Sequence, residues 1–131
     1  MNKCSFRVYY EDTDAGGVVY YANYLKYAER ARTELLRNIG INQSNLISSD
    51  SILFVVRNVS MDLIKPARLD DMLEVVTNID HITAVTINML QEIFCDGKKI
   101  TDINVKIVCV DQNIKPKKIP HNIIEQFRKI D

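Results

Sequence analysis

Residues 10–40 read YEDTDAGGVVYYANYLKYAERARTELLRNIG. Within this stretch a polar, flexible loop gives way to a helix, and that junction decides how the rest of the chain is read. Tyr24, Ala28, Ala31, Leu35 and Ile39 step by 4, 3, 4 and 4, which lines one face of a 3.6-residue period. Lys26, Glu29, Arg30, Thr33 and Arg37 fall largely on the other side, and Arg30 and Glu34, four apart, are spaced to pair weakly. Gly40 stands where a C-terminal cap belongs. The start is expected between Tyr20 and Asn23.

Upstream, residues 5–10 alternate well enough for a first strand, which leaves Glu11 to Gly17 as the loop. Downstream the period changes to two: segments near 52–64, 72–81, 83–95 and 99–110 are rich in Val, Ile, Thr and Phe. Asp96-Gly97 is a hairpin signal, because glycine supplies the positive φ of a tight turn. Ile103, Val105, Ile107 and Cys109 share one face of the last strand, opposite Asp102, Asn104 and Lys106. A short final helix is expected, with Ile123, Ile124 and Phe127 as its apolar side. The order of elements predicts an α+β fold, an antiparallel sheet wrapped around one long central helix. One helix covers one face of such a sheet, so the other should meet solvent or a second copy, and a homo-oligomer is expected.

At 131 residues the chain reads as one domain, 1–131. Cys4, Cys95 and Cys109 cannot all pair within one chain and show no Cys-x-x-Cys spacing; they read as reduced thiols of a cytosolic protein. Arg7 interrupts the place where a signal peptide needs an apolar stretch, and apolar runs such as 52–56 are far below the roughly 20 residues that span a bilayer. A cytoplasmic protein without a transmembrane segment is expected. Lys plus Arg and Asp plus Glu each number 17, with 8 basic and 4 acidic side chains in residues 98–131. That balance lacks the basic excess of a nucleic-acid binder and reads as a solvated face.

Chemistry is expected in the loop that enters the helix. Glu11, Asp12 and Asp14 crowd three carboxylates into four positions, and folding that buried one would raise its pKa. Gly16 and Gly17 let the backbone approach something closely, and the first helical turn presents unpaired N–H groups at a positive dipole end. A carboxylate facing a helix N-terminus across such a bend can hydrolyse an ester or thioester, with N–H groups holding the carbonyl oxygen. The same residues also fit a solvated acidic turn that caps the helix. They lack the repeated ligand spacing of a calcium loop.

The stretch FRVYYEDTDAGGVVYYANYLKYAERARTELLR resembles the Tol–Pal-associated acyl-CoA thioesterases of the YbgC type, within the 4-hydroxybenzoyl-CoA thioesterase superfamily of hotdog folds. Residues 65–75, KPARLDDMLEV, match as well, and the likeness extends loosely over about 5–112. The resemblance implies a long helix wrapped by an antiparallel sheet, a homodimer or homotetramer, and a metal-free site at the dimer interface. Its catalytic aspartate falls on Asp14, its loop tyrosine on Tyr10, which would orient Asp14, and its carbonyl-polarising N–H on Tyr21. The substrate implied is an acyl-CoA, or an acyl carrier protein bearing the same thioester, with no cofactor. Members of the Tol–Pal-associated group usually carry His where this chain has Tyr21. A neutral phenol donates a hydrogen bond but does not cycle protons near pH 7, so position 21 is expected to act through its main chain. The 4-hydroxybenzoyl-CoA branch resembles this chain in having an aromatic there.

Other residues fit less well. His81 and His121 are far apart, Glu29 is an alternative helical carboxylate, and neither the serines nor the cysteines have a nucleophile's context. Asp12 is expected to matter much less than Asp14. A non-catalytic acyl-group or acyl-carrier-protein binding hotdog protein is the rival reading, since fold does not dictate function.

Overall fold

In the computed structural model, which describes residues 2–130, the chain runs β1 (Asn2–Arg7), α1 (Ala22–Asn38), α2 (Gln43–Asn45), β2 (Leu53–Leu63), β3 (Met72–Ile82), β4 (Thr86–Cys95), β5 (Lys98–Val110) and α3 (His121–Arg128). Residues 1 and 131 of the expected domain lie outside the described residues. All strand pairings are antiparallel, in the order β1-β3-β4-β5-β2. Asp96 and Gly97 both take positive φ, 52° and 76°, the pair a two-residue hairpin with the sheet's twist requires. Register shifts at Arg57, Asp80 and Ile100 add one residue to one strand each, and such bulges bend a sheet.

The first strand ends at Arg7, three residues earlier than the alternation predicts. Its partner β3 begins at Met72, and the last pairing groups beyond it are used by Val8, whose N–H meets Asp71 O at 2.8 Å. The Tyr9 N–H is then captured by the Asp12 carboxylate at 2.9 Å, so residues 10–12 curl into a 3-10 turn. Tyr10 therefore belongs to the turn and not to the strand.

α1 begins at Ala22, inside the expected window, and ends at Asn38, with Gly40 closing it as expected. Gly40 has φ +84°; its N–H reaches Arg37 O at 3.0 Å while Ile41 N–H reaches Leu36 O at 2.8 Å, the paired closure of a Schellman cap. Glu34 pairs with Arg37 rather than with Arg30. Tyr24, Tyr27, Ala28, Ala31 and Leu35 are buried against Leu73, Val75, Ile93 and Met89 of the sheet's inner face. Gln91 is fully buried in that face and fully used: Nε2 donates to Ala28 O at 2.9 Å and Thr77 Oγ1 at 3.0 Å, and Oε1 accepts from Arg32 at 2.9 Å. α3 closes the far end, with Phe127 edge-on to Phe54 at 6.1 Å.

The sheet's outer face carries Leu90, 38% exposed, amid paired polar side chains. Lys99 lies 3.3 Å from Glu92 and 3.1 Å from Asp102, and Asn88 donates to Asn104 at 2.8 Å. Exposed apolar side chains gather instead on the edge strand β2: Val56 at 50%, Val59 at 42% and Leu63 at 48%. Among the described residues, no helix is long and apolar enough to cross a membrane.

One buried contact ties α1 to the segment after β2. Tyr24 Oη accepts from the Ala67 N–H at 3.0 Å, and Ala67 O accepts from Val19 N–H at 2.8 Å. Tyr24→Phe leaves that buried N–H without a partner, so urea unfolding should show a loss of about 1–3 kcal/mol.

Candidate active site

The loop before α1 is a small hairpin. Thr13 bridges to Val19, Asp14 N–H donates to Val18 O at 2.9 Å and Gly17 N–H to Asp14 O at 3.0 Å, with Gly17 at φ +80°. This is a tight turn closed by a glycine bulge. Asp14 fastens the turn from within, because its Oδ1 accepts the Gly16 N–H at 2.8 Å. The two glycines have different duties. A Cβ on Gly16 would stand 3.2 Å from that same Oδ1, whereas one on Gly17 would meet nothing within 4 Å. Gly16 makes room for the carboxylate, and Gly17 supplies the left-handed backbone and leaves open space beside it.

The chain builds this turn a second time. Asp111 N–H donates to Lys115 O at 2.9 Å, Ile114 N–H to Asp111 O at 3.0 Å and Asn113 N–H to Asp111 Oδ1 at 2.8 Å. There the left-handed position is held by Ile114 at φ 61°, a rare conformation for a β-branched residue. The Lys115 N–H, 3.1 Å from Asp111 Oδ1, and the Asn113 N–H together hold the Asp111 carboxyl below its ordinary range. The turn thus forms without glycine, and the glycines at 16 and 17 mark the copy in which space is kept open.

Asp14 and Tyr21 line one shallow cavity of about 290 Å³ with Val18, Tyr24, Ile64 and Lys65. Tyr21 is the N-cap of α1, and among the described residues its N–H has no hydrogen-bond partner. Its ring, 55% exposed, leans on Tyr20 with centroids 4.8 Å apart. The opposite wall is set by the Ile100 bulge, whose carbonyl takes both Ile64 N–H at 2.9 Å and Lys65 N–H at 3.1 Å. The expected carboxylate and the helix N-terminus therefore meet at one cavity.

Tyr10 is not part of that meeting. Its side chain is 82% exposed and lines a separate depression with Tyr9, Glu11, Leu69 and Asp70. Its contribution is its carbonyl, which accepts from Thr13 N–H at 3.1 Å and Thr13 Oγ1 at 2.7 Å. The expected hydrogen bond from Tyr10 to Asp14 is absent among the described residues, because the 3-10 turn swings the phenol outward. The crowded carboxylates are likewise not buried together: Glu11 and Asp14 are exposed, Asp12 is half-buried, and each of the two aspartates faces its own donors. His81 is exposed on β3, His121 pairs with Glu125 at 3.0 Å on α3, and Glu29 accepts from Thr33 at 3.1 Å, all outside the cavity lining.

What the sequence pattern missed is how the loop is held. Asp12 Oδ2 accepts both from Tyr9 N–H at 2.9 Å and from the Tyr27 hydroxyl at 2.8 Å. Its carbonyl accepts from Tyr20 N–H at 2.9 Å and from Asn23 Nδ2 at 2.8 Å. Burial, followed by the Asp12 carboxylate, pushes the Tyr27 phenol well above its ordinary value, so it remains a donor. The available signal was the pair Asn23 and Tyr27, polar groups four apart on the helix's inward side, where each needs a partner.

Comparison with known proteins finds thioesterases. The sequence model of a thioesterase-like superfamily matches residues 8–127. The acyl-CoA thioester hydrolase YbgC of Escherichia coli O6:H1 is 42% identical over 125 residues, 94% of this chain and 92% of that one. The acyl-CoA thioesterase YbgC of Haemophilus influenzae is 40% identical, covering 95% of this chain and 92% of its own length. Among solved structures, a probable thioesterase from Bartonella henselae superposes with a TM-score of 0.87 at 34% identity, over 90% of this chain and 98% of its own.

The two glycines should separate on mutation. Gly16→Ala displaces the Asp14 carboxylate, so any chemistry running through it should slow by about 10-fold or more. Gly17→Ala should act mainly on stability, lowering it by about 1–2 kcal/mol through the left-handed backbone. Denaturant midpoints and turnover, measured on both variants, check the division.

Proposed function

The chain belongs to the thioesterase-like superfamily and has its hotdog fold, and from that premise we propose that it hydrolyses acyl-CoA thioesters to a free acid and CoA, with Asp14 as the working carboxylate. The observation that carries the role of Asp14 is the shared cavity: Asp14, an exposed carboxylate, and Tyr21, whose main-chain N–H has no partner among the described residues, line the same largely apolar hollow. Asp14 attacks the thioester carbonyl, expelling the thiolate and leaving an anhydride that water cleaves, or it takes a proton from the attacking water. In both routes negative charge grows on the carbonyl oxygen, and the Tyr21 N–H with the helix dipole behind it stabilises that charge. Neither route needs a redox group or a metal, and coenzyme A enters as part of the substrate. An acyl carrier protein would present the same pantetheine thioester.

Asp14→Asn should fold and lose turnover on the order of 100-fold or more. Tyr21→Phe, which removes a hydroxyl and leaves the N–H, should stay within roughly 2- to 13-fold of the parent. Release of free thiol from short, long and aromatic acyl-CoA substrates reads both variants. Equal turnover by Asp14→Asn and parent on a good substrate sinks the assignment.

The working form is proposed to be a homodimer or homotetramer joined along β2. That strand is eleven residues long, lies at the sheet edge and carries exposed Val56, Val59 and Leu63. Such an edge is a template for pairing with another chain. β2 runs directly into Ile64 and Lys65 of the cavity wall, so a second copy paired there would sit beside Asp14. Light scattering at micromolar concentration should give at least twice the monomer mass, and an active monomer would refute both the assembly and its link to the site.

A further inference from the structure

The Asp14 carboxylate and the Tyr21 N–H stand on different pieces of backbone, and a thioester carbonyl has to meet both at one separation. The turn that carries Asp14 is closed on itself where Thr13 bridges to Val19, and is fixed to its surroundings on one side, where Val18 bridges to Arg68. Besides the Ala67 peptide group that joins Val19 to Tyr24, its tie to α1 runs through Asp12. The side-chain oxygen Oδ2 takes Tyr9 N–H from the loop and the Tyr27 hydroxyl from the helix, while the main-chain oxygen takes Tyr20 N–H and the Asn23 amide. Four donors from both sides of the site converge on one residue. Asp12 does not itself line the Asp14 cavity, so it has no contact with substrate there.

From this convergence we infer that Asp12 is a positioning residue for the reaction proposed above, setting the distance between Asp14 and the Tyr21 N–H by accepting hydrogen bonds and not by carrying charge or protons. Both side-chain donors use the same oxygen, which makes the inference sharp. An asparagine whose carbonyl oxygen takes the place of Oδ2 keeps both bonds. Alanine loses both, and Tyr27→Phe loses one. The main-chain bonds to Tyr20 and Asn23 persist in every variant, so the loop stays tethered.

The experiment compares Asp12→Asn, Asp12→Ala, Tyr27→Phe and Asp14→Asn by steady-state kinetics well below each variant's melting temperature. Loss of positioning to within an ångström can cost about 100-fold, so Asp12→Ala should lose kcat on that order with KM little changed. Asp12→Asn should remain within about 10-fold of the parent, the difference between a charged and a neutral hydrogen bond. Tyr27→Phe should fall between the two. Amide exchange at Asp14 and Gly17 should quicken in Asp12→Ala and stay slow in Asp12→Asn, a readout that needs no activity. The inference is overturned if Asp12→Asn is as inactive as Asp14→Asn, which would make the charge itself part of the chemistry. It is overturned equally by a folded Asp12→Ala enzyme with the parent's kcat. Absence of turnover in the parent would instead defeat the thioesterase reading, and the amide exchange would still decide whether Asp12 orders the loop.

Discussion

A helix N-terminus is useful to a reaction only when the loop leading into it is held still, and here that loop is fastened from two directions. From below, the Ala67 peptide group joins α1 through Tyr24 and the loop through Val19. From beside, Asp12 joins the 3-10 turn to Tyr27 and Asn23 of the helix. Both fastenings use polar groups on the helix face that also fills the core, so burial of α1 and order in the loop are coupled. In a low-dielectric surrounding each of these groups costs free energy unless paired, which makes alternative loop placements unfavourable.

The duplicated turn separates what folding needs from what a site needs. Asp111 and Ile114 satisfy the same hydrogen bonds as Asp14 and Gly17, with a β-branched residue in the left-handed position. Near Asp14 the chain uses glycine at two successive positions, once to leave room for the carboxylate and once to leave the flank open. An open flank does nothing for a hairpin's stability. It is of use where a ligand approaches backbone closely.

The distribution of surface character bears on assembly in a similar way. A sheet wrapped on one helix has a spare face, but here that face is laced with Lys99, Glu92, Asp102 and paired asparagines, groups content in water. Of the two edge strands, β1 and β2, it is β2 that joins an open edge to exposed Val56, Val59 and Leu63. That places the open valence of the fold beside the cavity and not behind the sheet.

The helix was legible in residues 24–40 because its 3.6-residue stripe and its terminal Gly40 are local properties, and the hairpin at Asp96-Gly97 was legible for the same reason. The strands followed from a period of two, and the D-T-D-A-G-G run marked the region of the candidate site. What the sequence by itself could not decide was direction and partnership. The phenol of Tyr10 looked placed to orient Asp14, yet a single side-chain hydrogen bond three residues on, from Tyr9 N–H to Asp12, curls the chain and turns that ring to solvent. Asp12 was expected to matter much less than Asp14, and nothing local announced its partners Asn23 and Tyr27, which lie 11 and 15 residues away across a turn and a helix start. Periodicity reports which side of an element faces the core; which polar atom on that side meets which other depends on how two elements are docked, and only the tertiary structure carries that information.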